Sequence, residues 1–446
     1  MTRSDPHQAR ARELAIAAGY TSPDLKILVP GKKAMPAWCL FRQQAREEAS
    51  VREARELKLG PKPQDPKYAN SPLIVLGNHE YSTLEQMKNC LKVGNAVKGV
   101  ICADGHLGYA QPVGGVIAYE GQISISGVGF DIGCGNMAVR LDTKFADVKD
   151  RVYQLTKDIS ENISFGVGRV NETKAEHALF DDREAWKAAD MKAYLGKAMA
   201  QLGTVGSGNH YVDLMEDEEG LVWIGVHFGS RGLGHTSATK YLKLAGGKDG
   251  INVPPAVVDE HSELGARYIA AMELAGRYAY AGREWVVERV RKMIGGRILE
   301  TVHNHHNYAW REVHDGKSLW VVRKGATPAF PGQRGFVGGS MGDDAVILEG
   351  IDTPEARNSL YSTVHGAGRV MGRKEAKRQF SRETMDDWLV ARGVTLFGAD
   401  LDESPMAYRR LDAVLAYHTE STKVVHRLRP FSVVMAGAGE FDPFKD

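Results

Sequence analysis

The sequence predicts an α+β protein built around one large domain. Short β-branched runs alternate with glycine turns in one part of the chain, while helical patterns return in separate blocks. The two kinds of segment neither alternate strictly, as a doubly wound sheet requires, nor segregate. A chain of 446 residues, 43% of them hydrophobic, can bury a large core. It carries no repeat of solenoid length and no low-complexity tract.

The elements follow in order. Gln8–Ala18 and Phe41–Leu59 are rich in Ala, Arg, Glu and Leu and predict helices, closed by the Pro/Gly-containing stretch LGPKPQDPKYANSP. Residues 1–65 are therefore expected to form a helical N-terminal extension with a linker, and residues 70–446 the main domain. From Pro72, the runs LIVLG, GVICA, GGVIAY and QISIS predict strands, interrupted by the helix-like STLEQMKNCLK. Helical patterns follow at 150–161 and 183–202, then the strand-like HYVDLM and LVWIGVHFG. From Asp259 to Met293, apolar residues at helical spacing (Leu264, Tyr268, Ala271, Met272, Ala275) predict one long helix. The remainder mixes strands (SLWVVRK, DAVILEG, KVVHRLRPFSVVM) with helices near 373–391 and 408–418.

Charge and cysteine usage narrow the function. The 57 Lys+Arg against 56 Asp+Glu give a net charge of +1, which excludes a partner held by bulk electrostatic attraction and leaves room only for a local basic groove. No run of about 18 apolar residues occurs, and the N-terminus MTRSDPHQAR lacks the apolar core of a signal peptide. The expected location is cytoplasmic, with no membrane partner. Cys39, Cys90, Cys102 and Cys134 are widely spaced with no CxxC pair, which suits reduced thiols.

Glycine, at 49 residues, exceeds the usual share of ~7%, and the excess gathers around chemistry-bearing side chains. In VGFDIGCGN (128–136), Asp131 and Cys134 stand on an uncrowded turn where a carboxylate and a thiolate can converge on a metal; the plain alternative is a turn with an inert buried Cys. GSGNHYVD (206–213) releases Asn209 and His210 from a small-residue turn at the start of a strand, and VHFGSRGLGH (226–235) places Arg231 between glycines, where it offers its planar fork to a phosphate or pairs with a surface carboxylate. In VHNHHNY (302–308), alternation along a strand puts His303 and His305 on one face and His306 on the other, so at most part of the trio can bind one ion. VHGAGR (364–369) exposes His365 on a glycine loop, which suits a nucleophile or acid/base with Arg369 nearby. Jointly these loops point to a metal-dependent site that handles phosphates.

The ordered set DGHLG (104–108), GVGFDIGCG (127–135), GSGNHYVD, HFGSRGLGH, HHNYA (305–309), RKGAT (323–327), GGSMG (338–342), HGAGR (365–369) and ESPMAY (403–408) resembles the RtcB family of RNA-splicing ligases, in the family's order from about residue 72 to the C-terminus. The resemblance implies a single large catalytic domain with central β-sheets flanked by helices. It implies joining of RNA 2′,3′-cyclic-phosphate or 3′-phosphate ends to 5′-hydroxyl ends with GTP and two Mn²⁺ ions, in RNA repair or tRNA splicing, with an archease-like activator as a candidate partner. By motif position, Asp131, Cys134 and His210 would hold one Mn²⁺, and Cys134, His227 and His306 the other. His365 would be the nucleophile that takes GMP, and Arg231 the contact to the RNA phosphate. Asn209, His210, Asp213, His306, Asn307, Gly338, Gly339, Ser340, Met341, Gly366, Ala367, Gly368, Tyr408 and Met435 would line the nucleotide pocket together with His365.

The chain departs from the family pattern around the nucleotide. Met435 stands where a near-terminal lysine is expected, Asp213 where a Glu is usual, Gly338 where a Pro is usual, and Ala345 in place of a pocket Ser. Metal and nucleophile positions keep the family residues. The departures predict weaker or altered GTP selectivity, and Lys445 is the one cation of the last ten residues that could stand in for the missing lysine. Two other readings are a metal-dependent cyclic phosphodiesterase or phosphatase acting on RNA ends without ligation, and a catalytically silent RNA-end binder.

Overall fold

In the computed structural model, the described residues are 8–17, 22, 24, 26–27, 35–36, 66–172 and 174–438. The predicted helix over Phe41–Leu59 and Lys445 lie outside them. The chain divides into two compact units, Met1–Gly60 with Lys243–Gly246, and the rest. In the first, the helix Gln8–Ala17 buries Ala11 and Ala15, one turn apart, and β1 (Lys26–Ile27) pairs antiparallel with β2 (Met35–Pro36).

The second unit is built on two sheets. The larger runs β11 (Ile298–His305), β7 (Gly135–Lys144), β9 (Leu221–Phe228), β8 (Tyr211–Glu216), β19 (Thr422–Met435), β16 (Ala345–Gly350) and β15 (Arg334–Val337), with β18 (Thr395–Phe397) parallel to β19. The second runs β12 (Asn307–His314), β13 (Lys317–Lys324), β5 (Val113–Tyr119), β4 (Ala96–His106) and β3 (Leu73–Val75). Two small pairs complete the unit: β6 (Gln122–Ser124) with β10 (Val257–Asp259), and β14 (Ala326–Pro328) with β17 (Ser362–Val364). Val100, Val116 and Val321 from the second sheet share one buried cluster with Val337, Val346 and Leu348 from the first, so the two sheets pack on a common core. This is the α+β arrangement the sequence predicts.

The long helix Glu263–Ile294 covers the other side of the large sheet. Ser262 caps it by accepting the Gly265 N–H, Glu263 opens its first turn, and Gly295, at φ 91°, ends it. Its buried stripe includes Ala271, Ala275, Ala279 and Gly282, small residues that let the helix approach β9 closely. Val286, Val287 and Val290 then join Val139, Ile224 and Val226 in the main core.

Several elements differ from expectation. The predicted helix 183–202 is broken into Arg183–Ala188 and Leu195–Gln201 by a left-handed turn at Asp190, φ 48°. Near 408–418 only Leu411–Leu415 is α-helical, and QISIS turns from strand into the short helix Ile125–Val128 after Ser124. Among the described residues no helix is long and apolar enough to cross a membrane.

Gly135 opens β7 opposite both Phe228 of β9 and His305 of β11. A Cβ there would collide with the Asn304 carbonyl and stand 2.7 Å from the His305 Cα, which are backbone atoms and cannot swing aside. Gly135→Ala is expected to cost roughly 3 kcal/mol of stability, measured by chemical denaturation; a loss below about 1 kcal/mol would show that this close approach is dispensable.

Candidate metal centre and active site

The predicted loops converge at the ends of the central strands. The chain enters the site through the turn after Ile125–Val128, where Gly129 and Gly133 take φ of 87° and 71°, and the Cys134 carbonyl accepts from the His306 N–H at 2.8 Å. Cys134 is buried, and its Sγ lies 3.3 Å from His227 Nε2 and 3.6 Å from His210 Nε2. His227 Nε2 is 3.3 Å from His306 Nε2, and His210 Nε2 is 3.1 Å from Asp131 Oδ2. Two overlapping donor groups result: Asp131, Cys134 and His210, and Cys134, His227 and His306, each with ligand atoms within 4.8 Å of one another.

The tautomers suit a cation. His227 Nδ1–H donates to the Asn209 carbonyl at 3.1 Å, leaving Nε2 as a lone pair. His306 Nε2 faces that lone pair, while its own Nδ1 is buried with no partner among the described residues. Burial pulls both imidazoles far below their ordinary pKa, so they stand neutral. Asp131 is held below the usual carboxylate range: burial opposes ionisation, but the His210 contact and Arg231 outweigh it. A thiolate, imidazoles and one carboxylate form a donor set for divalent transition-metal ions.

Arg231 does not line the cavity. It takes the left-handed turn at φ 53° that starts the helix Arg231–Leu244, and its guanidinium lies against Gly206. Arg231 Nη1 comes within 3.1 Å of His210 Nδ1, which also faces the Val205 carbonyl at 3.0 Å. Only one of these bonds forms at a time: metal ligation through Nε2 requires Nδ1–H to donate to Val205. The structure thus sets Arg231 behind His210.

The histidine trio divides between the two sides of β11. His303 and His305 turn to the far side of β11 and accept from the fully buried Arg283, at 2.8 Å from Nε and 3.0 Å from Nη2, while His306, just past the strand, faces the cluster. Arg283 Nη1 also donates to the Gly133 and Phe228 carbonyls at 2.9 and 2.6 Å. Burial pulls its pKa down only to about 10, so it stays cationic at neutral pH and ties together the backbone beside Cys134 and His227.

His365 is not open to solvent as its glycine loop suggests; its side chain is 14% exposed. Its Nδ1–H donates to the fully buried Asp104 at 2.6 Å, and its backbone N–H donates to the same oxygen at 3.0 Å. Nε2 is left as the nucleophilic lone pair, with the ring 4.9 Å from that of His306. Sequence reasoning gives Asp104 no role. Its signals are a carboxylate in the otherwise apolar run GVICADG and its place at the head of the motif DGHLG.

A cavity of about 790 Å³ opens over these groups, within the range of small-molecule sites. Of the residues expected in the nucleotide pocket, Asn209, Asp213, His306, Asn307, Gly338, Gly339, Ser340, Met341, His365, Gly366, Ala367, Gly368, Tyr408 and Met435 line it; His210 does not, and belongs to the donor group with Asp131 and Cys134. Ala345 lies outside the cavity, in a core cluster with Trp223 and Phe336. Lys324, to which sequence reasoning assigns no role, and Arg369, which it places near His365, are among the cations of the cavity wall. Lys324, pulled down to about 8 by burial, donates to the Tyr109 carbonyl at 2.5 Å, and Arg369 bonds Tyr408 at 2.9 Å while its buried Nη2 lacks a partner among the described residues.

Fold and site together define a mixed α+β protein in which two donor groups sharing one cysteine face a carboxylate-held histidine. The family model described as tRNA-splicing ligase RtcB matches residues 86–436. The chain is 33% identical to the tRNA-splicing ligase RtcB of Thermococcus kodakarensis, covering 82% of this chain and 93% of that one. It is 31% identical to the RNA-splicing ligase RtcB of Escherichia coli K12, covering 78% and 93%. The chain belongs to the RtcB family.

Two predictions follow from the geometry. Burial and the adjacent Asp131 push the Cys134 thiol well above its ordinary pKa, so loading the cluster must expel that proton, whereas the neutral His227 and His306 have none to give. Divalent-cation binding is expected to release about one proton and to tighten about tenfold per pH unit near neutrality; calorimetry in buffers of different ionisation enthalpy measures this, and pH-independent affinity would refute it. Arg283→Met removes the side-chain donor of the Phe228 carbonyl and leaves the Gly133 carbonyl to the His305 Nδ1, 3.0 Å away; it is expected to destabilise by about 3 kcal/mol in chemical denaturation, with Arg283→Lys recovering only part because an ammonium lacks the planar fork.

Proposed function

We propose that the protein is a Mn²⁺-dependent RNA ligase that joins 2′,3′-cyclic-phosphate or 3′-phosphate ends to 5′-hydroxyl ends through a His365–GMP intermediate, in the repair or splicing of RNA in the cytoplasm. The observation that carries this reading is the Asp104–His365 pair: the 2.6 Å bond at Nδ1 fixes the tautomer in which Nε2 is unprotonated. Asp104 is itself held below the usual carboxylate range; burial opposes this, and the adjacent imidazole overcomes it. It therefore stays ionised to receive the Nδ1 proton's charge as the ring becomes positive.

His365 Nε2 attacks the α-phosphorus of GTP, the N–P bond forms and pyrophosphate leaves. GMP then passes to the RNA 3′-phosphate, creating a phosphoanhydride and freeing the imidazole. The 5′-hydroxyl attacks that activated phosphate, and GMP departs as the phosphodiester forms; a cyclic phosphate is first opened by water to the 3′-phosphate. Asp131, Cys134, His210, His227 and His306 are the residues that would hold two Mn²⁺ ions, whose charge would offset that of the triphosphate and of the RNA end. Arg369, with its unpartnered Nη2, and Lys324 supply further positive charge at the cavity wall.

Incubation with Mn²⁺ and GTP is expected to add one GMP to the protein, seen by mass spectrometry and mapped to His365, and His365→Ala is expected to lose both the adduct and joining. Release of inorganic phosphate from RNA 3′ ends with no adduct would replace the ligase by the hydrolase reading.

A further inference from the structure

One stretch of the cavity wall is unlike the rest. Tyr211 and Asp213 on β8 pair across to Met435 and Val433 on β19, so the four side chains share one face, and all four line the cavity. Met341 lines the same cavity and packs in one cluster with Val433 and Met435. The Tyr211 ring meets that of His227 edge-on at 5.3 Å, which places Asp213, two residues further along the strand, about 7 Å beyond the proposed ligands. The Tyr211 hydroxyl fills the space that a Cβ on Gly338 would need. Asp213 is the one carboxylate of this patch, whose other side chains are apolar apart from the Tyr211 hydroxyl. Its Oδ1 is shut from solvent with no partner among the described residues, and burial, unopposed by any cation among the described residues, raises its pKa well above the carboxylate range.

Resting on the nucleotidyl-transfer reading above, we propose that this patch receives the base of the nucleoside triphosphate and that Asp213 lets it accept adenine as well as guanine. A carboxylic acid presents one acceptor beside one donor. Adenine offers N6–H beside the N1 acceptor, and guanine offers N1–H beside the O6 acceptor, so either edge completes the pair. A carboxylate, which only accepts, would match the two donors of guanine and leave adenine N1 without a partner. The flanking Tyr211, Met341 and Met435 give apolar contact that grows with ring area and favours purines over pyrimidines. The chemistry at His365 is the same for either nucleotide: the N–P bond forms and pyrophosphate leaves.

The test is single-turnover nucleotidylation of His365 with α-labelled GTP and ATP in the presence of Mn²⁺. The expected efficiencies differ by less than about tenfold, and a GTP preference beyond that overturns the inference. Met435→Lys, which sets an ammonium near Asp213 and stabilises its carboxylate, is expected to shift the ratio towards GTP by about tenfold or more; an unshifted ratio also overturns it. Labelling by GTP alone would leave the ligase reading standing, whereas labelling by neither nucleotide would overturn both.

Discussion

The site depends on one sulfur serving two donor groups. Cys134 can do so because β7 starts immediately after it, threaded between β9 and β11 with only a glycine at position 135. β9 delivers His227 to one side and β11 leads into His306 on the other, while the turn before Cys134 carries Asp131 and β8 begins just after His210. The ligands come from four chain segments, yet their geometry reduces to the hydrogen-bond register of neighbouring strands. Sheets are suited to this because register is set by many bonds at once, and a slip of one residue would turn every side chain to the wrong face.

Beneath that cluster the structure keeps a permanent cation. Arg283 has no carboxylate in its hydrogen-bond set; it is satisfied by two carbonyls and two imidazoles. Such a buried charge is costly, and its partners show what it secures: the backbone flanking Cys134 and His227, and two histidines kept as acceptors. Above the cluster the polar groups are deliberately incomplete. His306 Nδ1, Arg369 Nη2 and Asp213 Oδ1 are all buried without partners among the described residues and all belong to cavity-lining side chains.

Much of this was legible in the sequence. Strand parity separates His306 from His303 and His305 before any coordinates are known, because the face of a strand follows from counting by two. Glycine-flanked Asp131, Cys134 and His365 announce backbone that must turn sharply or approach closely. Other features leave no local trace. The bond from His365 to Asp104 spans 261 residues, and Asp104 sits in a strand that otherwise reads as plain core. Arg283 looks like any basic position on a long helix until the helix is seen against β9. Arg231, read as a glycine-turn arginine facing a phosphate, is carried by its left-handed turn behind His210. Ala345 is distinguished from a wall residue only by its pairing with Leu428 inside the sheet.

The near-neutral charge of the chain acquires a physical meaning in this light. Arg373, in the cavity wall, is paired with Asp402 at 3.0 Å and also touches Glu403, and Arg369 lies 3.5 Å from Glu403. Paired in this way, basic groups hold their position while presenting little net attraction to a distant polyanion. An electrostatic preference for RNA ends would then come mainly from divalent ions held at Cys134, which carry more charge at one point than a side chain can.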